Sequence, residues 1–400
     1  MSVHPDTLLQ CAQGLEIRIV SGTDIRVASR GHQIHGSPFT LRVLDAFRQP
    51  ATMAQAVERL GSFGKDTRQR IELTGYVLHL HHAGALVDAS SAIPVLRSDP
   101  WQFDSYPVHI RMLNDRDRTT RYQRAIRSIV APGDVVVDIG TGSGVMAASA
   151  ALAGAARVYA IERTDMAKVA RRVFEANHLT DTITVIEAQS TDVDLPERAD
   201  VLISEIIGDD PLAEDILAAT NDAILRLLKP SARVIPSRLN LYALPFAAPE
   251  AFVSRTVPDS TTLQGWRDLY GIDFSPLLVG ASAQNHQARI SSCKTREWQA
   301  LGDPVELASL DLSAPNPLTL EARGRFRIEQ SSVLNAILLY FSARLAPDVD
   351  LSTAPALAKA TSNWSSVVWL PGTPRQVSAG DQVHFSYRYT MMGSDFELLS

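Results

Sequence analysis

Val135-Val-Val-Asp-Ile-Gly-Thr-Gly-Ser-Gly-Val-Met146 is the stretch that decides the fold. It begins as a short apolar run of strand length and turns through three glycines at alternate positions. It then enters an alanine-rich helical pattern that starts at about Val145 and reaches Gly154. A buried strand, a glycine turn and a helix in that order open a βαβ unit with a parallel sheet. Gly140, Gly142 and Gly144 allow a tight turn and let the backbone approach a ligand without Cβ clashes. The spacing is G-x-G-x-G, where dinucleotide binders have G-x-G-x-x-G, and an acid, Asp138, precedes the turn. A pyrophosphate gains nothing from a carboxylate there, whereas a ligand carrying an ammonium and a sulfonium does.

The strands that follow extend the same site. Arg157-Val-Tyr-Ala-Ile161 ends in Glu162, an acid placed to accept both hydroxyls of a ribose. Ile183-Thr-Val-Ile186 leads to Gln189-Ser190-Thr191-Asp192, the expected position for adenine contacts. Asp200-Val-Leu-Ile-Ser204 carries Glu205 at its C-terminal end, where open α/β sheets place their ligands. These residues favour a methyltransferase over a dehydrogenase, with S-adenosyl-L-methionine as cofactor and S-adenosyl-L-homocysteine as product. From Trp101 to about Pro236 strand and helix alternate, as in a parallel sheet covered on both faces. Beyond Pro236 the pattern becomes short strands: Leu239–Tyr242, Leu318–Leu320, Phe326–Ile328, Ala336–Phe341, Ser366–Leu370 and Gln382–Tyr387. That reads as an antiparallel β region.

Ahead of the sheet, Leu15 to Asp88 forms a separate unit. Leu15–Ile19 and Asp24–Val27 can pair across Ser21-Gly22, and three helical patterns follow (Leu41–Phe47, Met53–Leu60, Ile71–Leu78) before Ala85-Leu86-Val87 closes it. This small α+β, winged-helix-like order resembles the peptide-recognition domain of ribosomal peptide-modifying pathways. The D protein of pyrroloquinoline quinone biosynthesis is of that kind, and the resemblance implies a leader peptide adding a strand to a sheet edge. A dimerisation or packing role is the plainer alternative. His79, His81 and His82 lack a carboxylate or cysteine at ligand spacing, so no metal site is expected. The Pro/Ser-rich segment Ser90–Pro100 reads as a linker, giving domains 1–90, 91–236 and 237–400.

At 400 residues the chain exceeds a single core, and 45% hydrophobic with 20% charged residues is ordinary for a globular protein. A net charge of −6 argues against nucleic-acid binding through phosphate neutralisation and leaves room for a cationic substrate. Cys11 and Cys293 are far apart, which suits a reducing cytoplasm. The N-terminus has no signal-peptide pattern and no apolar run is long enough to span a membrane, so the expectation is a cytoplasmic protein.

Phe103-Asp-Ser-Tyr106, His109-Ile-Arg-Met-Leu-Asn-Asp-Arg-Asp-Arg-Thr119, Ser204-Glu205-Ile-Ile-Gly-Asp-Asp-Pro-Leu-Ala-Glu214 and Trp266-Arg-Asp-Leu-Tyr-Gly-Ile-Asp273 occur in that order. Together they resemble the protein arginine methyltransferases, from Trp101 nearly to the C-terminus. The resemblance implies a class I methyltransferase sheet, a β-barrel, and a dimerisation arm at about 246–290 that makes a homodimer. It implies that Phe103 and Tyr106 close over the cofactor, and that His109 and Arg118 grip its ribose and carboxylate. It implies a double-glutamate hairpin, Glu205 and Glu214, with Met112 and Ile216 near the acceptor. The family's Thr-His-Trp loop stands here as Ser362-Asn363-Trp364, opposite Asp115. Asparagine can hydrogen-bond to Asp115 but can neither carry a positive charge nor relay a proton. Thr191 replaces the family's adenine-binding glutamate, Ile216 a methionine, and Asp209 and Asp210 add charge where aromatics are common.

The chemistry suits the pair. Two carboxylates can hold a planar guanidinium by bidentate, charge-assisted bonds, aim one nitrogen at a methyl group, and accept the released proton. The expected function is N-methylation of a cationic nitrogen, first an arginine in a peptide or free, within ribosomal peptide natural-product biosynthesis. A primary amine on a leader-guided peptide is the enzymatic alternative. A scaffold that only binds cofactor or peptide is the non-enzymatic one.

Overall fold

The computed structural model describes residues 7–12, 15–19, 25–29, 32–36, 38–61, 67–88, 103–277, 285–390 and 393–399. The Ser21-Gly22 turn, the Ser90–Pro100 linker, Trp101 and positions 278–284 of the arm lie outside the described residues. The chain divides into two compact units, Met1–Ser105 and Tyr106–Ser400.

In the first unit β1 (Leu9–Cys11) pairs antiparallel with β5 (Leu86–Asp88). Between them β2 (Glu16–Ile19), β3 (Ile25–Ser29) and β4 (His32–Gly36) form an antiparallel meander, followed by α1 (Pro38–Ala46), α2 (Met53–Arg59) and α3 (Thr67–His82). A capping box between Thr52 and Gln55 starts α2. Leu9, Val27, Val43, Phe47, Leu73, Leu80 and Leu86 bury one core. The three expected helices are present. Strands β1 and β4 are additional: His32-Gln-Ile-His-Gly36 has one aliphatic residue, and its pairing with β3, not its composition, makes it a strand. The histidines of α3 form no metal-binding group among the described residues.

The second unit opens with α4 (Tyr106–Asn114) and α5 (Arg116–Ile129). Asp115 caps α5 by accepting from the Arg118 amide at 3.1 Å, and Arg118, Tyr122, Ala125 and Ile126 form its buried stripe. Then follow β6 (Val135–Ile139), α6 (Val145–Leu152), β7 (Arg157–Glu162), α7 (Met166–Ala176), β8 (Ile183–Glu187), β9 (Ala199–Ser204), α8 (Ile216–Asp222) and β10 (Leu228–Ile235). The five strands are parallel in the order β10-β9-β6-β7-β8. The chain builds outward from β6 to β8, then returns to the other side of β6 for β9. The carboxyl ends of β6 and β9 therefore flank the switch point where such sheets bind ligands.

The remainder is antiparallel. β11 (Arg238–Ala247) leads into α9 (Glu250–Val253) and α10 (Ser260–Tyr270), and β12 (His286–Ile290) and β13 (Gln299–Ala300) follow. β14 (Val305–Asp311), β15 (Leu320–Arg327), β16 (Ser332–Leu334), β17 (Ala336–Ala346), β18 (Val349–Ser352), β19 (Ser366–Leu370), β20 (Arg375–Val377), β21 (Gln382–Thr390) and β22 (Gly393–Leu398) complete it. β11 and β17 form the spine of a seven-stranded sheet, and β15-β21-β22 form a second sheet. Leu318–Leu320 and Phe326–Ile328, expected as two strands, overlap the two ends of the single strand β15 (Leu320–Arg327). Within β15, Gly324 is a contact point: a Cβ there would meet the Phe385 ring at 2.6 Å. The parallel sheet and the barrel share one hydrophobic core, from Val136 and Ile203 to Phe341 and Trp369.

Candidate active site

The glycine turn after β6 has the left-handed backbone that its sequence demands, with φ of 76°, 53° and 89° at Gly140, Gly142 and Gly144. At Gly142 a Cβ would lie 2.7 Å from the His109 ring, so α4 rides directly on the turn. Glu162, at the end of β7, accepts from the Gly142 amide at 2.9 Å and from the Thr164 amide at 2.8 Å. Asp138, 1% exposed, accepts from the Thr141 hydroxyl at 2.6 Å. Burial pushes its carboxyl up to about 7; the Thr141 bond and the Arg118 charge oppose the rise and Glu162 adds to it. Ser190 is buried and Thr191 exposed. Arg226 holds their loop, donating to the carbonyls of Ser190 at 3.2 Å, Thr191 at 3.1 Å and Val193 at 2.9 Å. Sequence reading passed over Arg226; its i,i+4 pair with Asp222 is the only local signal.

Glu205, at the end of β9, is buried and ion-paired with Arg118 of α5. The Arg118 guanidinium lies 5.8 Å from the centre of the Trp364 ring. Glu214 is half-buried and folds back over Gly208, where a Cβ would meet its Oε1 at 2.9 Å. Burial pushes the Glu214 carboxyl up to about 7, Asp209 adds to the rise, and Arg163, Arg118 and Arg289 oppose it. The two glutamates thus stand on one hairpin, in the field of one buried arginine.

Asp115 joins this hairpin's support, by a different bond from the one expected. Its Oδ2 accepts from the backbone amide of Asn363 at 2.8 Å, and the Asn363 side-chain carbonyl is buried without a hydrogen-bond partner among the described residues. The Trp364 indole donates to the Ile207 carbonyl at 2.6 Å and packs edge-on against Phe341. Asp209 accepts from the Ser365 amide at 2.8 Å and faces Arg289 at 3.5 Å, while Asp210 accepts from the Ser394 hydroxyl at 2.5 Å. Both aspartates, expected at the substrate, are engaged with the barrel. Ile216, also expected there, is fully buried in the hydrophobic core, so this position packs rather than lines a pocket. Met112 is half-buried, and its carbonyl accepts from Arg118 and the Thr119 hydroxyl, each at 3.4 Å. Tyr106, the first residue of α4, and Phe103, in the turn before it, are exposed. Trp266 of the arm packs edge-on against Phe274, beside exposed Leu269, Tyr270 and Ile272.

The donor set fits a cationic nucleoside cofactor. Asp138 is a buried carboxyl held near neutrality, so a cation beside it relieves the cost of its ionisation. The Tyr122 and Ser204 hydroxyls are buried without partners among the described residues. At the turn, the closely packed glycines leave no room for a Cβ, and Glu162 braces the loop by accepting from the Gly142 and Thr164 amides.

Comparison with known proteins agrees. Residues 117–239 match the model for ribosomal protein L11 methyltransferase, and residues 252–393 match the arginine methyltransferase oligomerization subdomain. A probable protein arginine N-methyltransferase 6 from Arabidopsis thaliana is 31% identical over 294 residues, 71% of this chain and 64% of that protein. Protein arginine N-methyltransferase PRMT10 of Oryza sativa subsp. japonica is 30% identical over 308 residues, 71% of this chain and 80% of that protein. The chain spans 64% of the length of the Arabidopsis relative and 50% of a probable protein arginine N-methyltransferase 6.1 from Oryza sativa subsp. indica. Among solved structures, the Trypanosoma brucei PRMT1 enzyme–prozyme heterotetramer with AdoHcy superposes with a TM-score of 0.62 at 24% identity, covering 72% of this chain and 89% of that one.

Proposed function

The chain belongs to the protein arginine N-methyltransferase family, and from that premise we propose that it methylates a cationic nitrogen, with the arginine guanidinium as first acceptor. The observation that carries this reading is the hairpin with Glu205 and Glu214 beside buried Arg118 at the switch point of the sheet. S-adenosyl-L-methionine, when bound, supplies an electrophilic methyl group on its sulfonium. Asp138, Glu162, His109, Arg118 and the Gly140–Gly142 turn would hold it, with Ser190 and Thr191 at the adenine and Tyr106 covering it. Glu205 and Glu214 orient the acceptor nitrogen by charge-assisted hydrogen bonds. Glu214, poised near neutrality and free of an ion pair within 4.0 Å among the described residues, takes the proton released on methylation. Asp115, Asn363 and Trp364 support the hairpin from behind. The test is Glu205→Gln with a cationic peptide: methyl transfer should fall by at least a hundredfold, and full activity in the variant removes the assignment.

The finer readings belong to the same proposal. The first unit leaves β2 and β4 as the edges of its meander, and an added peptide strand on such an edge would make the acceptor a leader-guided peptide, as in ribosomal peptide modification. Under that reading a primary amine is the alternative acceptor. The exposed Leu269, Tyr270 and Ile272 on and after α10 support a homodimer through the arm. No helix among the described residues is long and apolar enough to cross a membrane, and a cytoplasmic location is proposed on the two cysteines being free. Binding of an S-adenosyl cofactor without turnover on any cationic acceptor would favour the scaffold reading instead.

A further inference from the structure

The segment joining Glu205 to Glu214 forms neither helix nor strand, and its own backbone supplies few bonds, such as Ala213 to Asp210 at 3.0 Å. An irregular loop without a ladder takes its shape from whatever satisfies its polar groups. Here those partners come from the barrel. Trp364 donates to the Ile207 carbonyl at 2.6 Å, Ser365 to Asp209 at 2.8 Å, Ser394 to Asp210 at 2.5 Å and Tyr389 to the Leu212 carbonyl at 2.7 Å. Every one of these ties falls between the two glutamates and none on them; Glu205 is instead ion-paired with Arg118. Two of the ties come from β21 and β22, at the far end of the chain. Asp210, Ser394 and Tyr389 are each at least nine-tenths buried, so no solvent replaces a bond that is removed.

We propose that Ser394 and Tyr389 are positioning residues for the acceptor pair: their hydroxyls fix the bend that sets the gap between Glu205 and Glu214. The inference rests on the proposed methyl transfer and adds the part of the barrel that tunes it. Without Ser394 the Asp210 carboxyl, already pushed up by burial, loses the hydroxyl that favours its ionised form. Without Tyr389 the Leu212 carbonyl is left buried and unpaired, two residues before Glu214.

The experiment compares Ser394→Ala, Tyr389→Phe and Ser394→Thr with wild type in the full chain. Three readouts are taken: amide hydrogen exchange over residues 205–215, KM and kcat with a cationic peptide, and affinity for S-adenosyl-L-homocysteine by calorimetry. Loss of a buried hydrogen bond predicts roughly tenfold faster hairpin exchange and roughly tenfold lower kcat/KM in the Ala and Phe variants. Cofactor affinity should stay within about twofold, and Ser394→Thr should restore both other readouts. The inference is overturned by unchanged hairpin exchange, by faster exchange with unaltered kcat/KM, or by cofactor affinity falling in parallel. If wild type methylates no cationic acceptor, it is the proposed function that fails, and hairpin exchange alone decides the clamp.

Discussion

Replacing Asp138 with asparagine should stabilise the ligand-free protein while weakening it as a receptor for the cofactor. Asp138 is 1% exposed, and burial pushes its carboxyl from the ordinary 3.8 up to about 7. Because the folded-state value lies above the unfolded one, its contribution is fully favourable below pH 3.8 and is lost as pH rises through about 7. At about 1.4 kcal/mol per unit, the ionisation cost is roughly 2 kcal/mol at pH 5 and roughly 4 kcal/mol at pH 8, an upper range because the interior relaxes around a charge. Asparagine keeps the shape but does not titrate. The stability difference between variant and wild type should therefore grow by roughly 2.5 kcal/mol from pH 5 to pH 8, or several degrees in melting temperature. Titrating groups that do not interact with Asp138 cancel in that difference. Thermal unfolding at four pH values between 5 and 8 reads it directly, and calorimetry with S-adenosyl-L-homocysteine should show at least tenfold weaker binding. Parallel melting curves across that range would refute the claim that burial holds this carboxyl near neutrality.

Glu214→Gln should remove the rising limb of the pH–rate profile. Glu214 must be ionised to hold a cation and take its proton, so wild-type kcat/KM should fall as pH drops through about 7, and a wild-type kcat/KM profile flat from pH 6 to 8 would contradict this. Arg226→Ala frees the carbonyls of Ser190, Thr191 and Val193 together, and should lower affinity for S-adenosyl-L-homocysteine roughly tenfold with little change in acceptor KM. Asp115→Ala removes both the cap of α5 and the anchor of the Asn363 loop, and should cost about 2–3 kcal/mol in denaturant unfolding. An unchanged midpoint would show that neither bond matters to stability.

The parallel sheet was legible because its signals are local: a buried run of valines, glycines that must turn, and acids at strand ends. The glutamate hairpin was legible as well, since its spacing survives in the sequence. What the hairpin's other residues do was not. Asp209 and Asp210 look like pocket charges until Ser365 and Ser394, more than 150 residues away, are seen to hold them. The resemblance set Ile216 near the acceptor, and sequence alone does not say that this side of the first turn of α8 meets the core. Strand β4 was missed because its five residues take their conformation from β3. Arg226 escaped for the same reason: its function lies in carbonyls more than 30 residues upstream.

The most direct test of the central claim is mass spectrometry of arginine-containing peptides incubated with the chain and S-adenosyl-L-methionine, run beside Glu205→Gln. With wild type a methyl-mass increment should be located on a guanidinium nitrogen, and it should be lost in the variant while S-adenosyl-L-homocysteine still binds. Equal transfer by both proteins, or cofactor binding with no transfer to any cationic acceptor, would contradict it.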